Sequence, residues 1–166
     1  MAARPSRTPA GDAATDVVLR TFRANGLFLA AGDLLAAEEG LTSARWQVLG
    51  ALALSERPLT VPQIARRMGL TRQSVQASVD RLRRDALIDA TDNPDHRRSP
   101  LIRLTSLGAA RYRALQRRQV AWIDALAAGL KVSDLATTAR TLEALSNRLA
   151  TTPEAAERRG DDDGTP

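Results

Sequence analysis

Gln73, Gln76, Ala77 and Arg81 recur at three- and four-residue spacing, and further along the chain Asp95, Arg97 and Arg98 stand close together. Glutamine and arginine carry paired hydrogen-bonding groups that match the edges of adenine and guanine, and alanine leaves room for close approach or a thymine methyl. On a helix these positions share an outer side with Asp80 and Arg84, opposite Val75, Val79 and Leu82, which must point inward. Taken alone, the same pattern also describes a solvated polar face. The elements before and after it have to decide between the two.

Before it, Thr60-Val61-Pro62-Gln63 has the form of a capping box, with proline tolerated in the first turn. The short helix opened there, carrying Ile64, Ala65 and Met68, is closed by Gly69. After Leu70, Thr71 is a second N-cap, and it opens a helix over residues 72–85. Two capped helices joined by a tight glycine-containing turn predict a helix-turn-helix. Thr60, Thr71, Arg72, Ser74 and the backbone at the two helix starts would hold phosphates, because helix N-termini favour anions.

After it, residues 87–91 and 101–105 read as two short strands, with Asp92-Asn93-Pro94-Asp95 as a turn. His96-Arg97-Arg98 then forms a positively charged hairpin tip. A basic hairpin directly after the second helix is read as a wing whose arginines can enter a narrow minor groove. An ordinary exposed loop is the plainer alternative.

The flanks read as long helices. Residues 14–39 place Val18, Phe22, Leu29 and Leu34 near helical spacing, and Gly40 supplies a stop. Gly26 and Gly32 each cost such a helix ~1 kcal/mol relative to alanine, which fits either close helix approach or a break near Gly26. Thr42 caps a helix over 43–54, with Trp46, Leu49 and Leu52 on one face. Thr105 caps a helix over 106–130, and Ser133 caps one over 134–149. These helices carry more apolar surface than the central domain can cover, so they are expected to cover each other and a second subunit. Residues 1–13 and 151–166 are read as disordered tails.

Composition narrows the class. Of the 166 residues 43% are hydrophobic but only 3% aromatic, so Leu, Ala, Val and Ile must fill the core, which favours packed helices. The chain has no cysteine, which excludes disulfides, thiolate zinc sites and thiol redox sensing. Every basic residue except Lys131 is arginine, and the net charge is +5. That bias suits phosphate and guanine, but it equally fits a GC-rich coding sequence, so placement matters more than number. No stretch has the ~18 to 20 apolar residues that span a bilayer, and the chain is expected in the cytoplasm, on the nucleoid when bound to DNA.

The order of elements resembles the MarR (multiple antibiotic resistance regulator) family of bacterial transcription regulators across residues 15–150. The most specific stretch is Asn93-Pro94-Asp95-His96-Arg97-Arg98 followed by Leu101-Ile102-Arg103-Leu104-Thr105, which is similar to the family's wing pattern of Asp-x-Arg, a strand and Leu-Thr. Leu41-Thr42, and Val79-Asp80-Arg81-Leu82 before Leu87-Ile88, also look like family phrases. The resemblance implies a mainly α fold with a small β-wing. Its parts would be an N-terminal dimerisation helix (14–40), a winged helix-turn-helix domain (41–105) and C-terminal dimerisation helices (106–150). It further implies a homodimer on pseudo-palindromic duplex DNA, acting as a repressor relieved by a small aromatic or anionic effector. In this pattern Asp95 braces the wing and Arg97 enters the minor groove. Arg98 departs from the small residue often found there, and it would either add a phosphate contact or alter the tip. Effector contacts would fall on Arg20, Arg23 and Trp46, although Trp46 at its spacing also reads as core.

Two rival classes follow. An enzyme would need a convergent base, nucleophile and oxyanion site, but the single histidine, His96, lies on the basic tip, and no glycine-rich phosphate loop or paired-carboxylate motif is present. No catalytic residue, cofactor or metal is therefore expected. A winged helix that binds only protein would carry an apolar or acidic outer face on its second helix. Here Arg72, Arg81, Arg83 and Arg84 outweigh Asp80 and Asp85.

Overall fold

Helix ends in this chain are set by a few side chains whose positions are local and specific. The computed structural model describes residues 7–152. Helix α1 (Pro9–Ala37) starts where the Thr8 hydroxyl accepts the Gly11 N–H at 3.1 Å, with Pro9 in the first turn and Asp12 complementing the helix dipole. Residues 9–13 therefore belong to α1, which corrects the expected tail over 1–13 and the helix start at 14. Residues 1–6 of that tail and residues 153–166 of the other lie outside the described residues. Helix α1 runs unbroken through Gly26.

Helix α2 (Ser43–Ala53) is capped twice. The Thr42 hydroxyl accepts the Arg45 N–H at 3.4 Å, and the Asp33 carboxylate accepts the Ser43 N–H at 2.6 Å. Helix α3 (Val61–Met68) opens with the full capping box: Gln63 Oε1 accepts the Thr60 N–H at 2.8 Å and the Thr60 hydroxyl accepts the Gln63 N–H at 3.4 Å. Helix α4 (Arg72–Arg84) starts at Thr71, whose hydroxyl accepts the Ser74 N–H at 3.2 Å.

Three of these helices stop by the same device. Leu41 N–H bonds Ala36 O, Leu70 N–H bonds Ala65 O and Leu87 N–H bonds Leu82 O, each around a left-handed residue. Gly40 (φ 68°) and Gly69 (φ 64°) adopt that conformation freely, whereas after α4 it falls on Ala86 (φ 56°).

Strands β1 (Ile88–Thr91) and β2 (Leu101–Leu104) pair antiparallel, Ile88 opposite Leu104 and Thr91 opposite Leu101. Leu59, in the link between α2 and α3, adds one bridge to β2. Its N–H donates to Ile102 O at 3.1 Å and its carbonyl accepts the Ile102 N–H at 2.7 Å. Helix α5 (Ser106–Ala127) is capped by Thr105, whose hydroxyl accepts the Gly108 N–H at 3.0 Å. Helix α6 (Val132–Ala150) follows Gly129 (φ 80°). Its N-cap is Lys131, without a side-chain bond. This corrects the expected cap at Ser133, whose hydroxyl is engaged by the Asp134 carboxylate at 3.4 Å instead.

The chain divides after Ala121 into two compact units. In the first, Val48 and Leu49 of α2, Ile64 of α3, Val75, Val79 and Leu82 of α4, Ile102 of β2 and Leu115 of α5 are fully buried. Each such side chain is worth ~1.5–3 kcal/mol of burial, so one core joins α4 to the wing. Val18, Phe22, Leu29 and Leu34 of α1 are exposed, Phe22 by 70%. The second unit holds the last turns of α5 and α6, and α6 has no buried residue. Ile123, Leu126, Leu135 and Leu149 are exposed there. The architecture is a winged helix-turn-helix of mainly α class with a two-stranded wing and long flanking helices.

Candidate nucleic-acid interface

Burial of Val75, Val79 and Leu82 turns the rest of α4 outward, leaving Gln73, Ser74, Gln76, Ala77, Asp80, Arg81 and Arg84 exposed. Some of these side chains are already oriented by neighbours. Gln76 Nε2 donates to Asp80 Oδ1 at 2.8 Å, one turn along the helix. Arg81 Nε pairs with Asp85 at 3.1 Å, and Asp85 also meets Arg45 of α2 at 3.4 Å, so the foot of α4 is tied to α2. Thr71 is exposed at the α4 start and Arg72 is half-buried and engaged. Thr60 stands apart. It is buried and its hydroxyl is taken up by the capping box, so its contribution runs through the start of α3.

The wing tip consists of two successive turns. His96 N–H donates to Asn93 O at 3.2 Å, and Ser99 N–H donates to His96 O at 3.0 Å. Arg97 and Arg98 are the two central residues of the second turn, and both are exposed. Asp95, expected as the brace, is exposed and takes part through its backbone N–H, which donates to Asn93 Oδ1 at 3.1 Å. Asn93 is the side chain that sequence reasoning passed over. It is buried, and its Nδ2 donates across the loop to Ser99 O at 2.9 Å. The sequence signal was present in an Asn-Pro turn, but its partner lies six residues away. Lower on the wing, Asp89 and Arg103 face each other across the ladder at 4.0 Å.

The effector candidates are not gathered by any contact found among the described residues. Arg20 is exposed and pairs with Asp16 on its own helix at 2.7 Å, which raises the guanidinium pKa through that hydrogen bond and the adjacent charge. Arg23 is exposed, and Trp46 is half-buried against the core. At the foot of α4 a cleft of about 250 Å³ is lined by Glu39, Arg81, Asp85, Leu87, Leu107 and Arg111, among others. Arg111 pairs there with Glu39 at 2.8 Å, and Arg118 meets Glu38 and Glu39, so these two arginines of α5 are paired within the protein. Among the described residues, no group of three or more metal-ligating side chains converges, and no helix is long and apolar enough to cross a membrane.

The sequence matches the MarR family profile over residues 39–99, which takes in the whole helix-turn-helix and the wing tip. An uncharacterized protein of Mycobacterium tuberculosis is 44% identical over 104 residues, 63% of this chain and 71% of that protein. The transcriptional regulator PcaV of Streptomyces coelicolor is 25% identical with a TM-score of 0.63, covering 89% of this chain and 97% of PcaV. AbsC, a MarR family regulator of the same organism, shares the fold at a TM-score of 0.74 and 18% identity, over 90% of this chain and 100% of AbsC. With the profile lying on α2, α3, α4 and the wing tip whose geometry is described above, the chain belongs to the MarR family and is a DNA-binding transcription regulator.

Proposed function

We propose that the chain is a homodimeric, cytoplasmic repressor that binds pseudo-palindromic duplex operators and associates with the nucleoid through them. The observation that carries this reading is the exposure of Gln73, Gln76 and Ala77 on α4 and of Arg97 and Arg98 on the wing, within one domain that shares a single core. In this reading α4 lies in the major groove, with Gln73, Gln76, Ala77 and Arg81 at base edges. Thr71, Arg72 and Ser74 hold phosphates at the helix start, and Thr60 sets the α3 start beside them. Arg97 and Arg98 enter the flanking minor groove, where positive charge is favoured. The exposed apolar side chains of α1 support a second subunit as their cover, since such a surface is costly in a monomer. α5 and α6 would complete that dimer region.

A response to a small anionic or aromatic compound is part of the same proposal. PcaV was solved with its natural ligand, and here Arg20, Arg23 and Trp46 are the proposed effector contacts. The decisive experiment is a footprint on the promoter upstream of the chain's own gene, with affinity measured over a salt series. Two protected half-sites and a steep fall of affinity with salt are expected. A folded dimer whose binding ignores salt would favour the rival reading, a winged helix used only to bind protein. Arg97→Ala is expected to weaken specific binding by about 1 to 3 kcal/mol, and unchanged affinity would remove Arg97 from the mechanism.

A further inference from the structure

Asn93 is a buried polar residue in an exposed loop. It retains 8% exposure, whereas Asp92, Pro94, Asp95, His96, Arg97 and Arg98 around it are all exposed. Its side chain uses both ends of the amide. Oδ1 accepts the Asp95 N–H at 3.1 Å, which makes an Asx turn, and Nδ2 donates to Ser99 O at 2.9 Å. Its carbonyl accepts the His96 N–H at 3.2 Å, so three bonds from one residue hold both turns of the tip. At the inner end of the loop, the side-chain bond from the Thr91 hydroxyl to Leu101 O is long at 3.5 Å. A loop of this length has many conformations to lose. The Asn93 bonds join the part before the arginines to the part after them.

We propose that Asn93 is the positioning residue of the wing: it fixes the Arg97-Arg98 turn in the place from which the two guanidinium groups reach the minor groove. The proposal rests on the DNA-reading role of the wing given above. The chemistry selects asparagine, because the site requires a donor toward Ser99 O and an acceptor for the Asp95 N–H on one short side chain. Aspartate keeps the acceptor but sets a carboxylate oxygen against a carbonyl oxygen. Alanine keeps neither.

The test uses the full-length protein and, as probe, a duplex selected by the wild type from a randomised library. Wild type, Asn93→Ala and the double variant Arg97→Ala/Arg98→Ala are compared by dimethyl sulfate footprint for the major groove, by hydroxyl-radical footprint for the minor groove, by affinity over a salt series and by thermal unfolding. Asn93→Ala is expected to keep its Tm to within about 4 °C, as befits the loss of one loop's bonds. It should still protect the major groove at both half-sites, lose protection of the flanking minor grooves, and bind about 5- to 100-fold more weakly. The double variant should show the same footprint. If the double variant loses flank protection while Asn93→Ala retains it at wild-type affinity, Asn93 is not the positioning residue. If the double variant itself matches the wild type, the wing reading fails and takes this assignment with it. Should Asn93→Ala be too unstable to footprint, Asn93→Asp, which keeps the Asx turn, replaces it. Lost flank protection then supports the proposal and retained protection overturns it.

Discussion

Gly108→Ala should destabilise the protein, although alanine is the better helix former. A Cβ at position 108, in the first turn of α5, would stand 1.9 Å from Leu87 O and 2.9 Å from Leu87 C. Leu87 has no freedom to retreat. Its carbonyl accepts the Thr105 N–H at 3.1 Å, its N–H donates to Leu82 O at 2.9 Å, and its side chain is buried. Thr105 is held in turn, its hydroxyl donating to Ala86 O at 2.8 Å while accepting the Gly108 N–H at 3.0 Å. Relief therefore requires α5 to move about 1 Å off the start of β1, since real Cβ contacts do not fall below 3.0 Å. Overpacking of this kind costs typically 1–3 kcal/mol, and a loosened hydrogen bond about 1 kcal/mol more. Helix propensity returns at most ~1 kcal/mol. The net expectation is a loss of about 1–3 kcal/mol. Gly50→Ala is the matched control, because its Cβ would meet Tyr112 Cε2 at an ordinary 3.5 Å inside α2. It should gain about 0.5–1 kcal/mol. Urea unfolding at one fixed protein concentration measures both. Equal stability of Gly108→Ala and wild type would refute the packing argument, and a gain in both variants would show that propensity governs both sites.

Ala86→Gly should act in the opposite direction. It removes a left-handed alanine that costs roughly 1–2 kcal/mol against a glycine entropy cost of about 0.5–1 kcal/mol, so the urea midpoint should rise slightly. The Tyr112 phenol has its pKa raised from 10.0 by burial. The folded state holds that proton longer than the unfolded chain, so stability is unaffected below about pH 10 and declines as pH climbs beyond it. Tyr112→Phe should flatten that decline, and a wild-type-like alkaline slope in the variant would assign it elsewhere. With one tyrosine, one lysine and no cysteine in the chain, few other groups titrate there. Phe22→Asp places a charge on the exposed apolar side of α1 and is expected to shift sedimentation toward the monomer. An undiminished dimer would move the subunit contact away from this part of α1.

Local chemistry was the readable part of the sequence. Thr42, Thr60, Thr71 and Thr105 announce helix starts because an N-cap and its N–H partner lie three residues apart. Gly40 and Gly69 announce stops because few other residues accept a positive φ. The stop at Ala86 uses the same hydrogen bonds without glycine, so nothing in its residue type marked it. Thr8 and Pro9 form a regular helix start but were hidden in a stretch of mixed composition. Ser133 resembled a cap, but capping depends on backbone dihedrals, and Lys131 occupies that position. At the interface, outward-facing residues on α4 followed from the apolar periodicity of Val75, Val79 and Leu82. Distant partnerships did not follow: Asn93 with Ser99, Asp85 with Arg45, and Arg111 with Glu39 join residues that only the fold brings together. The same holds for Thr60, which has the residue type of a phosphate contact and the burial of a structural one.

The pair of hydrogen bonds between Leu59 and Ile102 has a mechanical meaning. They fasten the chain just ahead of α3 to the middle of β2, while the shared core fastens β2 to α4. A hairpin attached only through its own two ends could pivot against the recognition helix and trade one groove contact for another. Stitched at a third point, the hairpin is held to the domain that carries α4, and under the proposed function the two elements would act as one stylus. In the proposed homodimer, control would then come from changing the distance between two styli on the duplex, and loss of binding would appear as intolerance to half-site spacing before it appears as altered base preference.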